Sequence, residues 1–253
     1  MDWVILNLAV FGAAAVQSAT GIGFGVIAGP ILLMTLDSAA AVQITIFLSL
    51  LIALALAPSL WRESDRPILR SILIGTTLGL PIGIVIYLHA NVGLLQLLAG
   101  VSVSVMALSV RAIGAGAAEP GSPPPSVRPI GARDVGVGIV SGIMSSTLAT
   151  PGPPVAAWMA REGFAKKTIR STVITLFVPS YVAAAVLQAT IATTSVQTVS
   201  MTAKLVPATL AGLLCGHWSS ARIGDELFRR IVVILLWATA FGLLVCGVGR
   251  LVP

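Results

Sequence analysis

Two short stretches of the chain gather hydroxyl side chains beside residues that break helices. The first runs Gln17-Ser18-Ala19-Thr20-Gly21-Ile22-Gly23-Phe24-Gly25; the second holds Ser141, then Ser145-Ser146-Thr147, then Thr150-Pro151-Gly152-Pro153-Pro154. Hydroxyls donate hydrogen bonds without a fixed charge, which suits a ligand that must bind and also leave. Glycine and proline interrupt an α-helix, and a helix that restarts presents N–H groups and a partial positive charge in its first turn. The combination favours an oxyanion. Candidate binding residues are therefore Ser18, Thr20, Gly21, Gly23 and Gly25 in the first stretch, and Ser141, Ser145, Ser146, Thr147, Thr150 and Gly152 in the second. Ser and Thr also pack membrane helices by bonding back onto their own turn; their clustering beside both breaks is what favours a ligand.

The elements that position these residues are membrane helices. The 253 residues carry only 15 Lys+Arg and 9 Asp+Glu, 57% are hydrophobic and the mean hydropathy is +1.00. A soluble domain has about a quarter of its residues charged, so this composition excludes a water-exposed surface. The net charge of +6 comes from residues between apolar runs and reads as a topology signal, not a nucleic-acid surface. Cys215 and Cys246 lie inside apolar segments without a partner at metal or redox spacing. No basic residue precedes the first apolar run, so a cleaved secretory leader is not expected.

Eight apolar segments follow: 3–36, 38–60, 68–89, 92–110, 135–160, 168–191, 196–218 and 227–248. Most match the roughly 20 residues that a helix needs to cross hydrocarbon. The first is too long and is interrupted by Gly21 to Gly25 and again at Gly29-Pro30; the fifth is interrupted at Thr150 to Pro154. Five prolines mark 113–133 as an extended cytoplasmic linker. It divides the chain into repeats over 1–112 and 134–253. Gln17-Ser18 to Gly29-Pro30 lies over Val140-Ser141 to Gly152-Pro153, and Gly79 and Gly83 lie over Gly212 and Gly216. Small residues four apart let membrane helices approach closely.

Loop charges fix the relation of the halves. Arg62, Arg66 and Arg70 follow the second segment, whereas Arg161, Lys166, Lys167 and Arg170 follow the fifth and Arg222, Arg229 and Arg230 follow the seventh. Lys and Arg mark cytoplasmic loops, so corresponding loops face opposite sides. The expectation is an all-α polytopic membrane protein of two four-segment repeats with inverted topology. Each half then needs an odd number of crossings, which makes the first segment of each repeat a broken, re-entrant hairpin. Both termini are expected outside. Irregular backbone at membrane depth is tolerated only where protein or a watery cavity surrounds it, so the two breaks point to one shared site.

At these residues the sequence resembles the TauE/SafE family of sulfite exporters and related sulfonate and anion permeases. Members show a duplicated Gly-rich helix break followed by proline. The matching stretches here are Ser18 to Pro30 and Ser141 to Pro154. The second departs from a plain triple-glycine motif by carrying Ser145-Ser146-Thr147. The resemblance covers the chain in segment count, linker position and repeat. It implies a secondary transporter that moves sulfite, an organosulfonate or a related small anion across the bacterial inner membrane, driven by an ion gradient.

Among the remaining polar residues, Lys204 stands inside an apolar segment, either attracting substrate or snorkelling to the outer interface. Arg170 reads more as a cytoplasmic anchor than as a substrate contact. His89 and His217 lie near segment ends, and Gln17 and Gln43 are buried-polar candidates for helix glue or site lining. The acidic residues fall in loops or at segment ends, so no carboxylate proton relay is evident and coupling to H+ or Na+ stays open. No cofactor, metal set or catalytic constellation is expected, and the chain is not read as an enzyme. An anion channel and a subunit of a larger complex are the competing functions; a homo-oligomer is compatible with either.

Overall fold

Membrane helices must satisfy every backbone group internally, and the chain does so almost entirely with α-helix. The computed structural model describes residues 3–21, 23–116, 131–219 and 225–251. Among these are ten α-helices and no strand: α1 (Trp3–Thr20), α2 (Phe24–Leu36), α3 (Ala40–Leu60), α4 (Arg66–His89), α5 (Val92–Gly116), α6 (Ala132–Leu148), α7 (Gly152–Arg161), α8 (Lys166–Ile191), α9 (Val196–Ser219) and α10 (Asp225–Leu251). A short 3-10 turn, Trp61–Glu63, extends α3. Five of the helices, α1, α3 with its turn, α4, α8 and α9, are long and apolar enough to cross a membrane. Their outer faces are apolar: Leu78, Ile82 and Val85 on α4 are all about half exposed, at the spacing of one helical face. In water that stripe would aggregate; in hydrocarbon it is solvated. The fold is that of an all-α polytopic membrane protein.

The interruptions are shorter than the sequence suggests. Gly25, Gly29 and Pro30 lie within α2, which carries Pro30 inside its second turn at the loss of one backbone hydrogen bond. Gly152 to Pro154 do not break a helix either. They begin α7, where proline fits because the first N–H groups of a helix lack intrahelical acceptors. Of the described residues at the two interruptions, only Gly21, Gly23 and 149–151 lie outside helices. The expected linker also shrinks, since α5 continues to Gly116 and α6 opens at Ala132; residues 117–130 lie outside the described residues.

Glycine sets the helix pairing. A methyl on Gly75, Gly79 or Gly83 of α4 would overlap backbone oxygens of Val135, Ile139 or Ile143 on α6, and one on Gly142 would overlap the carbonyl of Thr76. Gly212 and Gly216 of α9 press in the same way on Phe11 and Ala15 of α1. Residue numbers rise together along both contacts, so α4 runs parallel to α6 and α1 runs parallel to α9. By contrast α3 and α8 are antiparallel: Gln43 Nε2 donates to Gln188 Oε1 at 3.2 Å, while at the other end Asp65 N–H donates to the Thr172 hydroxyl at 3.0 Å. Helices α5 and α10 are antiparallel too, with Gly93 beside Gly247 and Gly100 beside Leu243.

These directions place the helix ends. Lys167 pairs with Glu63 at 2.9 Å, so α8 starts where α3 finishes. There α4 also starts, and with it the parallel α6. Because α7 is joined to α8 by 162–165, the α6–α7 pair leaves that end and returns to it. At the opposite end, the Tyr87 hydroxyl donates to Ala39 O at 3.0 Å and Arg250 pairs with Asp37, whose carboxyl it holds below the usual range. There α2 finishes and α9 starts, and with α9 the parallel α1. The α1–α2 pair therefore leaves and returns by this other end.

The glycine contacts give a controlled test. Gly79→Val is expected to cost about 3 kcal/mol, the upper end for overpacking, and to reduce the monodisperse fraction in detergent. Gly136→Ala, whose added methyl meets nothing within 4 Å, is expected to change stability by less than about 0.5 kcal/mol. Equal behaviour of the two in a thermal melt would show that the α4–α6 approach is not tight.

Candidate anion site at the two helix breaks

The interruption between α1 and α2 turns on Gly21, whose φ of +78° is a left-handed conformation that glycine adopts without strain. Its N–H still donates to Gln17 O at 2.8 Å, closing α1. Gln17 then spans the break, its side-chain oxygen accepting from the Phe24 N–H at the start of α2. The other interruption begins at Ala149, a non-glycine residue at φ +59°. Its carbonyl accepts from the Tyr181 hydroxyl at 3.0 Å, and that of Pro151 accepts from Ser141 Oγ at 2.7 Å.

The breaks meet against the middle turns of α8. Gly25, in the first turn of α2, lies so close to Ala149 that a methyl would overlap its carbonyl oxygen and come within 3.3 Å of the Thr150 methyl group. The Phe177 ring lies between Gly23 and Gly152. Arg170 reaches in from the basic end: Nη2 donates to Ser18 O at 2.8 Å, and its stem covers Gly21.

Four side-chain atoms around the breaks are buried without a hydrogen-bond partner: Gln17 Nε2, Ser18 Oγ, Thr150 Oγ1 and Arg170 Nε. Buried polar groups are ordinarily paired, at a cost of about 1–3 kcal/mol when they are not. All four can donate and none is a carboxylate, which is the chemistry that an acceptor-rich anion pairs with. Unpartnered hydroxyls also occur along α4, α5 and α8, at Thr76, Ser102, Thr175 and Ser180. The prolines temper one sequence argument. Pro153 and Pro154 have no N–H, so the first turn of α7 offers fewer donors than that of α2 and side chains carry more of the recognition.

Several predicted site residues bond neighbouring helices or their own turn. Ser146 Oγ donates to Leu80 O at 2.9 Å, Thr147 Oγ1 to Gly83 O at 2.9 Å, and Ser145 Oγ to Ser180 O at 3.5 Å. These hydroxyls tie α6 to α4 and α8, as polar residues do between membrane helices. Thr20 bonds back to Val16 O at 2.7 Å. Lys204 is exposed, its ammonium 5.3 Å from the centre of the Trp3 ring, away from the breaks. Gln43 joins Gln188, whose amide in turn donates to Ser146 O at 2.9 Å, a strut between helices. His89 is exposed and bonds Val85 O at 2.9 Å. Ser18, Thr150 and the glycines that the sequence singles out lie at the breaks, and Arg170, which the sequence reads as a cytoplasmic anchor, reaches them as well. The usable signal was depth, since Arg170 stands a full turn inside α8 beyond Lys166 and Lys167. Among the described residues no group of three or more His, Cys, Asp and Glu gathers as a metal would require.

A family model, Sulfite exporter TauE/SafE, matches residues 6–243. The chain belongs to the TauE/SafE sulfite exporter family. No curated protein and no solved structure matches the chain. As a TauE/SafE protein it is a multi-pass membrane transporter with a small anion as substrate, which agrees with the donor set at the breaks.

Ser18 and Ser146 separate binding from packing. Ser18→Ala and Thr150→Ala each delete an unpartnered hydroxyl, so melting without ligand is expected to stay level or rise while sulfite affinity falls about tenfold. Ser146→Ala is expected to destabilise by about 1 kcal/mol and to leave the sulfite-induced melting shift in place. Detergent melts with and without sulfite read all three variants; an unchanged shift in Ser18→Ala would remove that hydroxyl from the site.

Proposed function

We propose that this TauE/SafE protein moves sulfite, an organosulfonate or a related small anion across the bacterial plasma membrane by alternating access at the two helix breaks. The observation that carries the reading is the set of four buried, unpartnered donors at Gln17, Ser18, Thr150 and Arg170. A site built only of donors lowers the desolvation cost of an anion, and neutral groups in most of those places let it leave again.

The two halves, α1 to α5 and α6 to α10 on either side of 117–131, act as inverted repeats. What supports this is the exchange in the packing: α1 lies on α9 as α6 lies on α4, while α3–α8 and α5–α10 pair across the centre. With the basic end cytoplasmic, the α6–α7 hairpin enters from the cytoplasm and the α1–α2 hairpin from outside. Each hairpin is anchored on a helix of the other half, so rocking of one half against the other moves both tips and exposes the site to one side at a time. With that orientation Arg170, which holds Ser18 O, stands on the cytoplasmic side of the breaks. A coupling ion, H+ or Na+, supplies the driving force, and the chain works alone or as a homo-oligomer.

Proteoliposomes containing the purified protein test the proposal. Sulfite uptake is expected to saturate and to follow an imposed ion gradient. Arg170→Gln is expected to raise the half-saturation concentration about tenfold, the loss of one charge-assisted hydrogen bond, with partial recovery in Arg170→Lys. Electrical conductance that grows without saturation would replace the transporter by a channel, and an unchanged half-saturation in Arg170→Gln would take Arg170 out of the site.

A further inference from the structure

Resting on the transport reading above, we infer that Phe177 is the side chain that sets how large an anion can pass between the breaks, by plugging the gap between the two half-helix starts. The ring is fully buried. A methyl group added to Gly152 would lie 2.9 Å from its Cζ and 3.0 Å from its Cε1, and one added to Gly23 would lie 3.5 Å from Cζ. One ring therefore touches the start of α2 and the start of α7 at once. Nothing polar on that ring can pair with the donors around it, so it fills the space without satisfying them.

The surroundings fit a plug that moves. Behind the ring stands Tyr181, with ring centroids 5.4 Å apart and planes tilted by 48°. Tyr181 is itself pinned by its hydrogen bond to Ala149 O, so the ring has a fixed wall on the α8 side. In front are Gly23 and Gly152, which present no side chain to it. At Gly152 φ is not left-handed, so conformational freedom does not explain the glycine there; a missing side chain does. The ring must swing aside for an anion to reach both breaks, and the volume it vacates limits the anion's bulk. A compact oxyanion needs a small displacement, whereas an anion with a ring or a branched tail needs more room than Phe177 can release.

The test uses proteoliposomes of the full chain, with sulfite as the small probe and benzenesulfonate as the bulky one. Phe177→Leu is expected to raise the benzenesulfonate-to-sulfite uptake ratio at least tenfold. Gly152→Ala, which crowds the ring, is expected to slow sulfite uptake at least tenfold, and combining it with Phe177→Leu is expected to restore the rate. A purely structural role for Phe177 would depress both substrates in proportion and give no rescue. If Phe177→Leu does not fold in detergent, Gly152→Ala alone decides, because unchanged sulfite uptake there overturns the plug. A wild-type protein that moves no anion would defeat the transport reading itself. Anion uptake with a size ratio within twofold of wild type in Phe177→Leu would defeat only the plug.

Discussion

A backbone N–H or C=O left unpaired in hydrocarbon costs several kcal/mol, and the two helix breaks persist because side chains from other helices meet what they expose. Phe24 N–H finds Gln17, Ser18 O finds Arg170, Ala149 O finds Tyr181 and Pro151 O finds Ser141. Two of these four partners come from α8, which explains why both breaks lie against it. Gln17 and Arg170 each spend one polar group on the backbone and keep another unpaired, so the scaffold that makes irregular backbone tolerable also holds the donors of the proposed anion site.

That scaffold depends in turn on close helix approach. With little hydrophobic drive between helices in lipid, packing and interhelical hydrogen bonds hold them, and the glycines of α4, α6 and α9 bring backbones within touching distance. Ser146 and Thr147 add hydrogen bonds to α4 carbonyls along the same seam. Because the tight seams run between halves rather than within them, each hairpin is carried by the opposite half.

Much of this architecture is legible in the sequence because charge is so scarce. The alternation of basic loops leads to the expectation of hairpins, and α1 runs parallel to α9 as α6 does to α4. The extent of the breaks is less legible. Proline is a breaker in mid-helix but a good opener, and Pro153 and Pro154 cannot be assigned to one role without knowing where α7 begins. Hydroxyls are harder still. Ser18 and Ser146 stand at comparable distances from a break, yet one is unpartnered and the other bonds α4, and that difference lies in which neighbour faces them. Lys204 and Arg170 were separated by the same kind of fact: Lys204 points out past Trp3, whereas the long stem of Arg170 crosses to α1.

The central claim is that both breaks bind one anion together. Selenite, which matches sulfite in shape and carries an anomalous scatterer, tests it most directly when diffused into crystals of the protein. The account predicts a single selenium peak between the breaks, within hydrogen-bond reach of donors from both, including Ser18 or Gln17 on one side and Thr150 on the other. A peak that touches only one break, or one beside Lys204 at the outer end of α9, would contradict it.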